Sequence, residues 1–456
     1  MSALAICLAG MVVVLGAIIA LRLHAFVSLL LGALTVAVLS STVGASGTSI
    51  SKAVTAVTSG FGTACGKVGV IIALAAIIGQ CLLASGAAER IVKAILGLFG
   101  AKRAPIAFLS SGFILGIPVF FDTVFYLMFP LLRSYARKVK GTYVLCVLAT
   151  VAGASMAHSL VPPTPGPLYV ANSLGVSLGV MIPAGLVLGV ICIACGYIYA
   201  KWANRRFDIP FRDDEAAADK DVLESRPLPS LFLSLLPVVG PLILIAATSF
   251  PMMPYQKGGA LADQDPGWLG FWADKNLALG LGAVVALFIA TKYRNESDGS
   301  IKDLIQNSLS GAGIIILITA AGGAFGQVLK ESGIAQELVA MFPNAGDALL
   351  PIAFVVTALV RIAQGSATVS MITGVGIVAP LLETMMLSFH PVYLALAIGC
   401  GSKPGPWMND SGFWVVGRMA KFTETETLKT FSVLLTVMGV AGFIVCWICS
   451  KVFPMV

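Results

Sequence analysis

Four ionisable residues interrupt stretches otherwise suited to lipid: Asp122, His158, Arg361 and Asp410. Charged or titratable groups inside a membrane are costly and mark substrate or ion pathways by default. Each of the four stands beside a sequence that breaks helices. Asp122 follows Gly116-Ile117-Pro118-Val119-Phe120-Phe121, where glycine and proline can unwind the chain and free polar groups next to a carboxylate. Such a carboxylate suits a proton carrier; its plainer use is to cap a helix starting at Thr123. His158 precedes Pro162, Pro163, Pro165 and Pro167, which cannot continue a helix. Non-helical chain at membrane depth survives only where it is buried in protein or lines a cavity; the alternatives are an external loop and a core histidine. Arg361 opens Arg361-Ile362-Ala363-Gln364-Gly365-Ser366-Ala367-Thr368-Val369-Ser370. Its planar fork suits a carboxylate, the hydroxyls after it can donate hydrogen bonds, and a helix starting there would aim its positive end at an anion. The alternative is an Arg snorkelling to lipid head groups. Asp410 lies in Lys403-Pro404-Gly405-Pro406-Trp407-Met408-Asn409-Asp410-Ser411-Gly412, a broken polar stretch that reads as a site wall or as an interfacial loop with a Trp belt. Lys403 can neutralise the carboxylate or attract substrate.

The elements that must position these residues are membrane helices. Of the 456 residues, 58% are apolar and 11% charged, against about 25% charged in soluble domains. That excludes a soluble protein, and the absence of a glycine period of three excludes collagen. The net charge of +7 is spread between apolar blocks, which is the pattern of cytoplasmic loops rather than of nucleic-acid binding. The nine cysteines sit in apolar runs and read as small packing residues, including the Cys192/Cys195 and Cys446/Cys449 pairs. Met1 to Leu21 reads as a retained helix rather than a cleaved leader.

A spanning helix needs about 20 mostly apolar residues. Runs of that character lie near 3–21, 25–44, 68–86, 104–132, 141–160, 169–200, 229–249, 276–291, 306–329, 348–382, 390–402 and 429–450. Two of them, 104–132 and 348–382, are too long for one crossing and carry Gly and Pro, which predicts a re-entrant or broken element in each. The expectation is an all-α polytopic membrane protein of about 10–12 spans with two re-entrant hairpins. Basic loops at Lys102–Arg103, Arg133 to Lys140, Lys292 to Lys302 and Arg418 to Lys429 are placed in the cytoplasm. So is the hydrophilic linker 201–228, which holds 13 charged residues between Lys201 and Arg226.

That linker divides the chain into related halves, 1–200 and 229–456. Gly79 to Val92 matches Gly326 to Val339 at seven of fourteen positions. Pro165-Gly166-Pro167 answers Pro404-Gly405-Pro406, and Cys192/Cys195 answers Cys446/Cys449. Loop charge differs between equivalents: Arg90, Lys93, Lys102 and Arg103 follow the first match, whereas Lys330 faces Glu331, Glu337 and Asp347 after the second. Arg133 to Lys140 is basic, and its counterpart around Glu383 to His390 has no Lys or Arg. Equivalent loops on opposite sides of the membrane make an inverted repeat, which points to a secondary carrier. An intramembrane enzyme lacks its HExxH, GxSxG or paired-Asp signature here.

These residues resemble the gluconate:proton symporter (gluconate permease, GntP) family of the wider ion-transporter superfamily, over essentially the whole chain. The resemblance is carried by Gly322 to Leu329, by Arg361 to Val369 continuing to Gly376-Ile377-Val378-Ala379-Pro380-Leu381, and by Asn409-Asp410 with Gly412-Phe413-Trp414. In the first half, His158 with Pro162-Pro163 and Pro165-Gly166-Pro167 carries it. The resemblance implies proton-driven uptake of small sugar acids, two inverted repeats each with a re-entrant hairpin, a homodimer, and the bacterial inner membrane. The family usually has Glu where this chain has Asp122. It has His where this chain has Thr164, and another His where Trp407-Met408 stand, so the chain reads as a divergent member. Arg361, Gly365, Ser366 and Thr368 are expected to hold the substrate carboxylate, with Thr164, Asn409 and Ser411 as further substrate contacts. Asp122, Asp410 and His158 are the candidates for proton coupling. No cofactor or metal is expected, and no Ser-Asn-Thr sodium motif occurs, although backbone carbonyls could still coordinate sodium. The rival substrates are D-serine-like amino acids, 3-hydroxybutyrate and citrate, and the rival class is an anion channel.

Overall fold

The computed structural model describes residues 3–43, 51–100, 103–139, 141–212, 227–252, 266–294, 299–332, 348–382 and 387–455. Among them every element is helical. The charged core of the linker (213–226), the second-repeat residues Gly333 to Asp347, and Lys102, Lys140 and Glu383 lie outside the described residues, so the loop-charge comparison is only partly covered.

Among the described residues, six helices are long and apolar enough to cross a membrane: Ser51–Ala84, Tyr143–Ser173, Leu178–Arg206, Lys275–Tyr293, Ile301–Glu331 and Glu424–Val452. Shorter apolar helices make up the remainder, among them Ala3–Ile19, Ala25–Val43 and Leu231–Met252. The bundle turns an apolar face outward: Leu98 is 83% exposed, Phe232 73% and Ile198 68%, surface that water would penalise and lipid does not.

Both over-long apolar runs are split. The first becomes Ala104–Leu115 and Phe121–Lys138, separated by Gly116 to Phe120. The second becomes Leu349–Gln364 and Ala367–Leu382, separated by Gly365 and Ser366. A 16-residue helix is about 24 Å long, short of the roughly 30 Å hydrocarbon core, so each half of the second pair ends inside the membrane. Gly365 makes that turn possible. Its φ is +82°, and a Cβ there would come within 2.2 Å of the Asn409 carbonyl oxygen, so only glycine meets both demands.

Two further helices are broken rather than ended. Tyr143–Leu160 stops, residues 161–164 run non-helically, and Pro165–Ser173 resumes. Val161 through Thr164 are all buried, which rules out the external loop. The sequence run 169–200 therefore combines the end of this broken helix with Leu178–Arg206. In the second half Val392–Gly401 and Ser411–Met419 flank a break across residues 402–410. The order long helix, hairpin, broken helix, long helix thus occurs once before the linker and once after it.

Small residues let these pieces approach closely. Ala104–Leu115 lies on Tyr143–Leu160 so tightly that a Cβ at Gly153 would come within 2.1 Å of the Leu109 carbonyl oxygen. Ser51–Ala84 crosses Ile301–Glu331 with Gly60 against Ala324 and Gln327, and Gly323 against Ala64. All nine cysteines are free thiols. Gly153→Ala is expected to cost about 1–3 kcal/mol, because the obstructing atoms are backbone. Gly62→Ala, with nothing near its Cβ position, should gain up to about 1 kcal/mol of helix propensity. Thermal melting in detergent reads both.

Candidate functional site

The hairpins and broken helices meet around a cavity of about 400 Å³, within the span of about 300–1,000 Å³ common to small-molecule sites. Three helix starts open into it. Phe121, Asp122 and Thr123 belong to the first turn of Phe121–Lys138. Ala367, Thr368 and Val369 begin Ala367–Leu382, where the Ser366 hydroxyl accepts the Val369 N–H at 3.3 Å. Ser411 and Gly412 begin Ser411–Met419, where the Asp410 carboxylate accepts the Phe413 N–H at 3.1 Å. Unpaired N–H groups and the positive dipole end favour negative charge at each start. Helix C-termini supply the complement: Arg361 and His158 lie in the last turns of Leu349–Gln364 and Tyr143–Leu160.

Arg361 organises the centre. It is 3% exposed and Asp410 5%, so neither head-group snorkelling nor an interfacial loop describes them. The guanidinium donates through Nη2 to Asp410 and through Nη1 to the Gly365 carbonyl, joining hairpin tip to broken helix. Its Nε is buried and has no hydrogen-bond partner. Lys403, equally buried, donates to the Ser155 carbonyl at 2.6 Å and lies within the electrostatic reach of Arg361 and Asp410. His158 Nε2 is 3.4 Å from Thr368 Oγ1, its ring meets Phe120 edge-on, and its Nδ1 has no partner. Asp122 lies against the Ser411 hydroxyl and faces Asp410.

Arg361, Gly365, Ser366, Thr368, Ser411, Asp122, Asp410 and His158 therefore surround one cavity. Thr164 and Asn409, expected as further substrate contacts, are not among its lining residues. The Thr164 hydroxyl donates to its own chain at Val161, 2.7 Å away, closing the turn between the two halves of the broken helix. The Asn409 amide donates to the carbonyls of Ile362 and Ala363 at 2.9 and 3.2 Å, capping the hairpin's first helix. Trp407, where the resemblance led to His, donates to the same Ile362 carbonyl at 2.8 Å.

The sequence reading missed the apolar wall: Phe120, Phe121, Ile315, Ile318, Phe431 and Leu435. Phe120 and Phe121 adjoin Asp122 and could have been found. Phe431 could not, because it is presented by a π-helical turn, Leu428–Ser432, which hydrophobic spacing does not reveal. Such turns recur at functional sites. Among the described residues no group of three or more His, Cys, Asp or Glu side chains is placed to hold a metal.

A cavity lined by buried cations and by three helix starts, inside a bundle with an apolar outer face, has the character of a membrane permease. The chain belongs to the GntP permease family, whose model matches residues 2–452. A gluconate permease of Pseudomonas aeruginosa is 30% identical over 449 residues, covering 97% of both chains. The high-affinity gluconate transporter of Escherichia coli is 29% identical over 97% of this chain and 98% of its own. Among solved structures, MtrF of Neisseria gonorrhoeae, described with a class of antimetabolite efflux pumps, superposes with a TM-score of 0.62 at 16% identity. That match covers 90% of this chain and 85% of MtrF. The YdaH transporter of Alcanivorax borkumensis gives 0.56 at 14% identity, over 88% and 89%. At those identities the likeness establishes a shared all-helical transporter fold. The protein is a transporter and not an enzyme, a multi-pass component of the bacterial inner membrane.

Asp410→Ala strands a buried guanidinium and is expected to cost about 3–5 kcal/mol of stability. Asp410→Ala combined with Arg361→Met should recover most of that loss while leaving ligand binding abolished. Thermal melting with a parallel binding assay separates the two effects.

Proposed function

We propose that the protein takes up gluconate or a closely related sugar monocarboxylate together with protons. The observation that carries this reading is the charge balance of the cavity. With Lys403 protonated, Arg361 and Lys403 bring two positive charges, and Asp410 and Asp122, when ionised, bring two negative ones. With both carboxylates ionised the site is neutral and offers a monoanion no net attraction. Protonating Asp122 leaves one surplus positive charge, which matches one substrate carboxylate. A buried site in low dielectric strongly favours that match. Proton and substrate therefore bind together and leave together, which is symport stated as electrostatics.

Asp122 is the better proton carrier of the two acids because Asp410 is held by Arg361 and by a helix start. The carboxylate would seat at the start of Ala367–Leu382, near Ser366 and Thr368, beside the Arg361 guanidinium. His158 and Ser411 are placed to read hydroxyls, while the phenylalanine wall excludes water from the apolar edge of the sugar chain. Full-length relatives named as gluconate permeases support the substrate class.

Asp122→Asn is expected to keep gluconate exchange in proteoliposomes and to lose accumulation driven by a pH gradient. Because the proposal ties affinity to a protonated Asp122, wild-type binding should weaken as pH rises, and the variant's should not. Accumulation by Asp122→Asn under a pH gradient would overturn this assignment. Arg361→Lys keeps the charge but loses the fork, and should weaken gluconate affinity by about 1.5–3 kcal/mol, about 10–100-fold. Titration calorimetry in detergent measures it, and unchanged affinity would remove Arg361 from carboxylate binding.

A further inference from the structure

Phe431 lines the main cavity and is 1% exposed, with the Phe121 and Phe413 rings 6.3 and 6.4 Å away between centroids. The π-helical turn Leu428–Ser432 carries it, between Glu424–Thr427 and Val433–Val452. Turns of this kind are rare, so this one calls for groups that hold it against the ordinary α repeat.

The hydrogen bonds of the turn identify them. In an α-helix the Val433 N–H would go four residues back, to the Lys429 carbonyl. Here it goes to the Thr430 carbonyl, and the Lys429 carbonyl accepts from the Tyr199 hydroxyl instead. Two further bonds are local to the helix. The Thr430 hydroxyl donates to the Glu426 carbonyl at 2.6 Å, and the Thr436 hydroxyl to the Ser432 carbonyl at 2.8 Å. Tyr199 is not local. It belongs to Leu178–Arg206, before the linker and 230 residues away in the chain.

The same stretch of chain grips the approach to the turn as well. Arg212 gives both terminal nitrogens to the Glu426 carboxylate, each at 2.7 Å, and donates to the Lys421 carbonyl. Glu426 in turn closes the capping box with Thr423 that starts the last helix. Arg212 thus fixes where that helix begins, and Tyr199 meets it at its π turn. The Tyr199 ring packs against Trp202, with centroids 5.5 Å apart, so the hydroxyl reaches Lys429 from a supported ring.

We propose that Tyr199 is a positioning residue for transport: its hydrogen bond to the Lys429 carbonyl holds the π turn and thereby sets Phe431 against the cargo. Tyr199 is not among the residues lining the cavity, and it acts through the backbone of another helix. Without its hydroxyl the Lys429 carbonyl can take back the Val433 N–H. The α repeat can then advance through the turn and rotate Phe431 relative to Phe121 and Phe413. The proposal rests on the sugar-acid reading for the identity of the cargo and deepens it by naming what shapes the apolar wall of the site.

The test places para-fluorophenylalanine at position 431 of the full-length protein in detergent and reads its fluorine resonance. The same label at Phe61, which packs on Phe26 in another part of the bundle, is the control. Tyr199→Phe keeps the ring and should shift or split the resonance at 431 while leaving that at 61 in place. Calorimetry with gluconate supplies a second readout. Tyr199→Phe alone should weaken affinity about three- to tenfold, the worth of one hydrogen bond. In a Phe431→Leu background the same change should cost little further, because the ring it positions is gone. An unmoved resonance at 431, an equal movement at 61, or fully additive losses of affinity would each overturn the positioning role. A wild-type chain that binds no gluconate counts against the substrate, while the fluorine spectra still decide what Tyr199 does.

Discussion

A helix that stops inside a membrane leaves backbone groups that lipid cannot satisfy. This transporter stops several of them in one place. Its working charges are the groups that make those stops tolerable: Asp410 closes the start of Ser411–Met419, and Arg361 reaches from the end of Leu349–Gln364 to the Gly365 carbonyl and to Asp410. Asn409 and Trp407 take the remaining carbonyls of that helix end. Fold and candidate site are therefore held by the same set of hydrogen bonds, and the cavity is the space left where the ends do not quite meet. The Arg361–Asp410 pair also explains why a buried ion pair survives in a greasy bundle. Its members have backbone partners that neither lipid nor an apolar replacement would provide.

Much of this was legible in the residues. The broken hairpins followed from runs too long for one crossing with Gly and Pro inside them, and the four ionisable residues that the fold gathers around one cavity from the cost of charge in lipid. The repeat followed from Gly79 to Val92 and its counterpart, and its element order recurs among the described helices. What was not legible depends on direction rather than composition. Thr164 and Asn409 have the right chemistry and neighbourhood, but the Thr164 hydroxyl and the Asn409 amide N–H groups go to a turn and a helix end, and sequence spacing says nothing of which way a break faces. Ser51–Ala84 begins well before the expected span at 68. Its first turns bury only one face, through Ala53, Val57 and Gly60, the last against Ala324 and Gln327 of Ile301–Glu331, while Ser51, Thr55, Thr58 and Ser59 are exposed, so the average hydropathy of these turns stays too low to mark a span.

The comparisons divide along the same line. MtrF and YdaH share the fold at 14–16% identity, so the frame of hairpins and broken helices outlasts most of its side chains. Fold and chemistry are separable in general, and here the separation has a physical basis. Glycine contacts and helix ends hold the frame, whereas the Phe120, Phe121 and Phe431 wall is held by side-chain packing on His158, Phe125 and Phe413, which other apolar side chains can replace.

The π turn at Leu428–Ser432 gives that freedom a limit. A turn with one residue more than its neighbours sets the register of everything after it, and it brings Phe431 onto Phe121 and Phe413 at the edge of the cavity. Removing one residue from this turn would restore the α repeat and swing the following face by about 100°. Gly439, on the far side of the turn and packed on the Lys403 segment, would lose its alignment in the same step. The last helix therefore works as a counted ruler, tolerant of substitution in its side chains and intolerant of any change in their number.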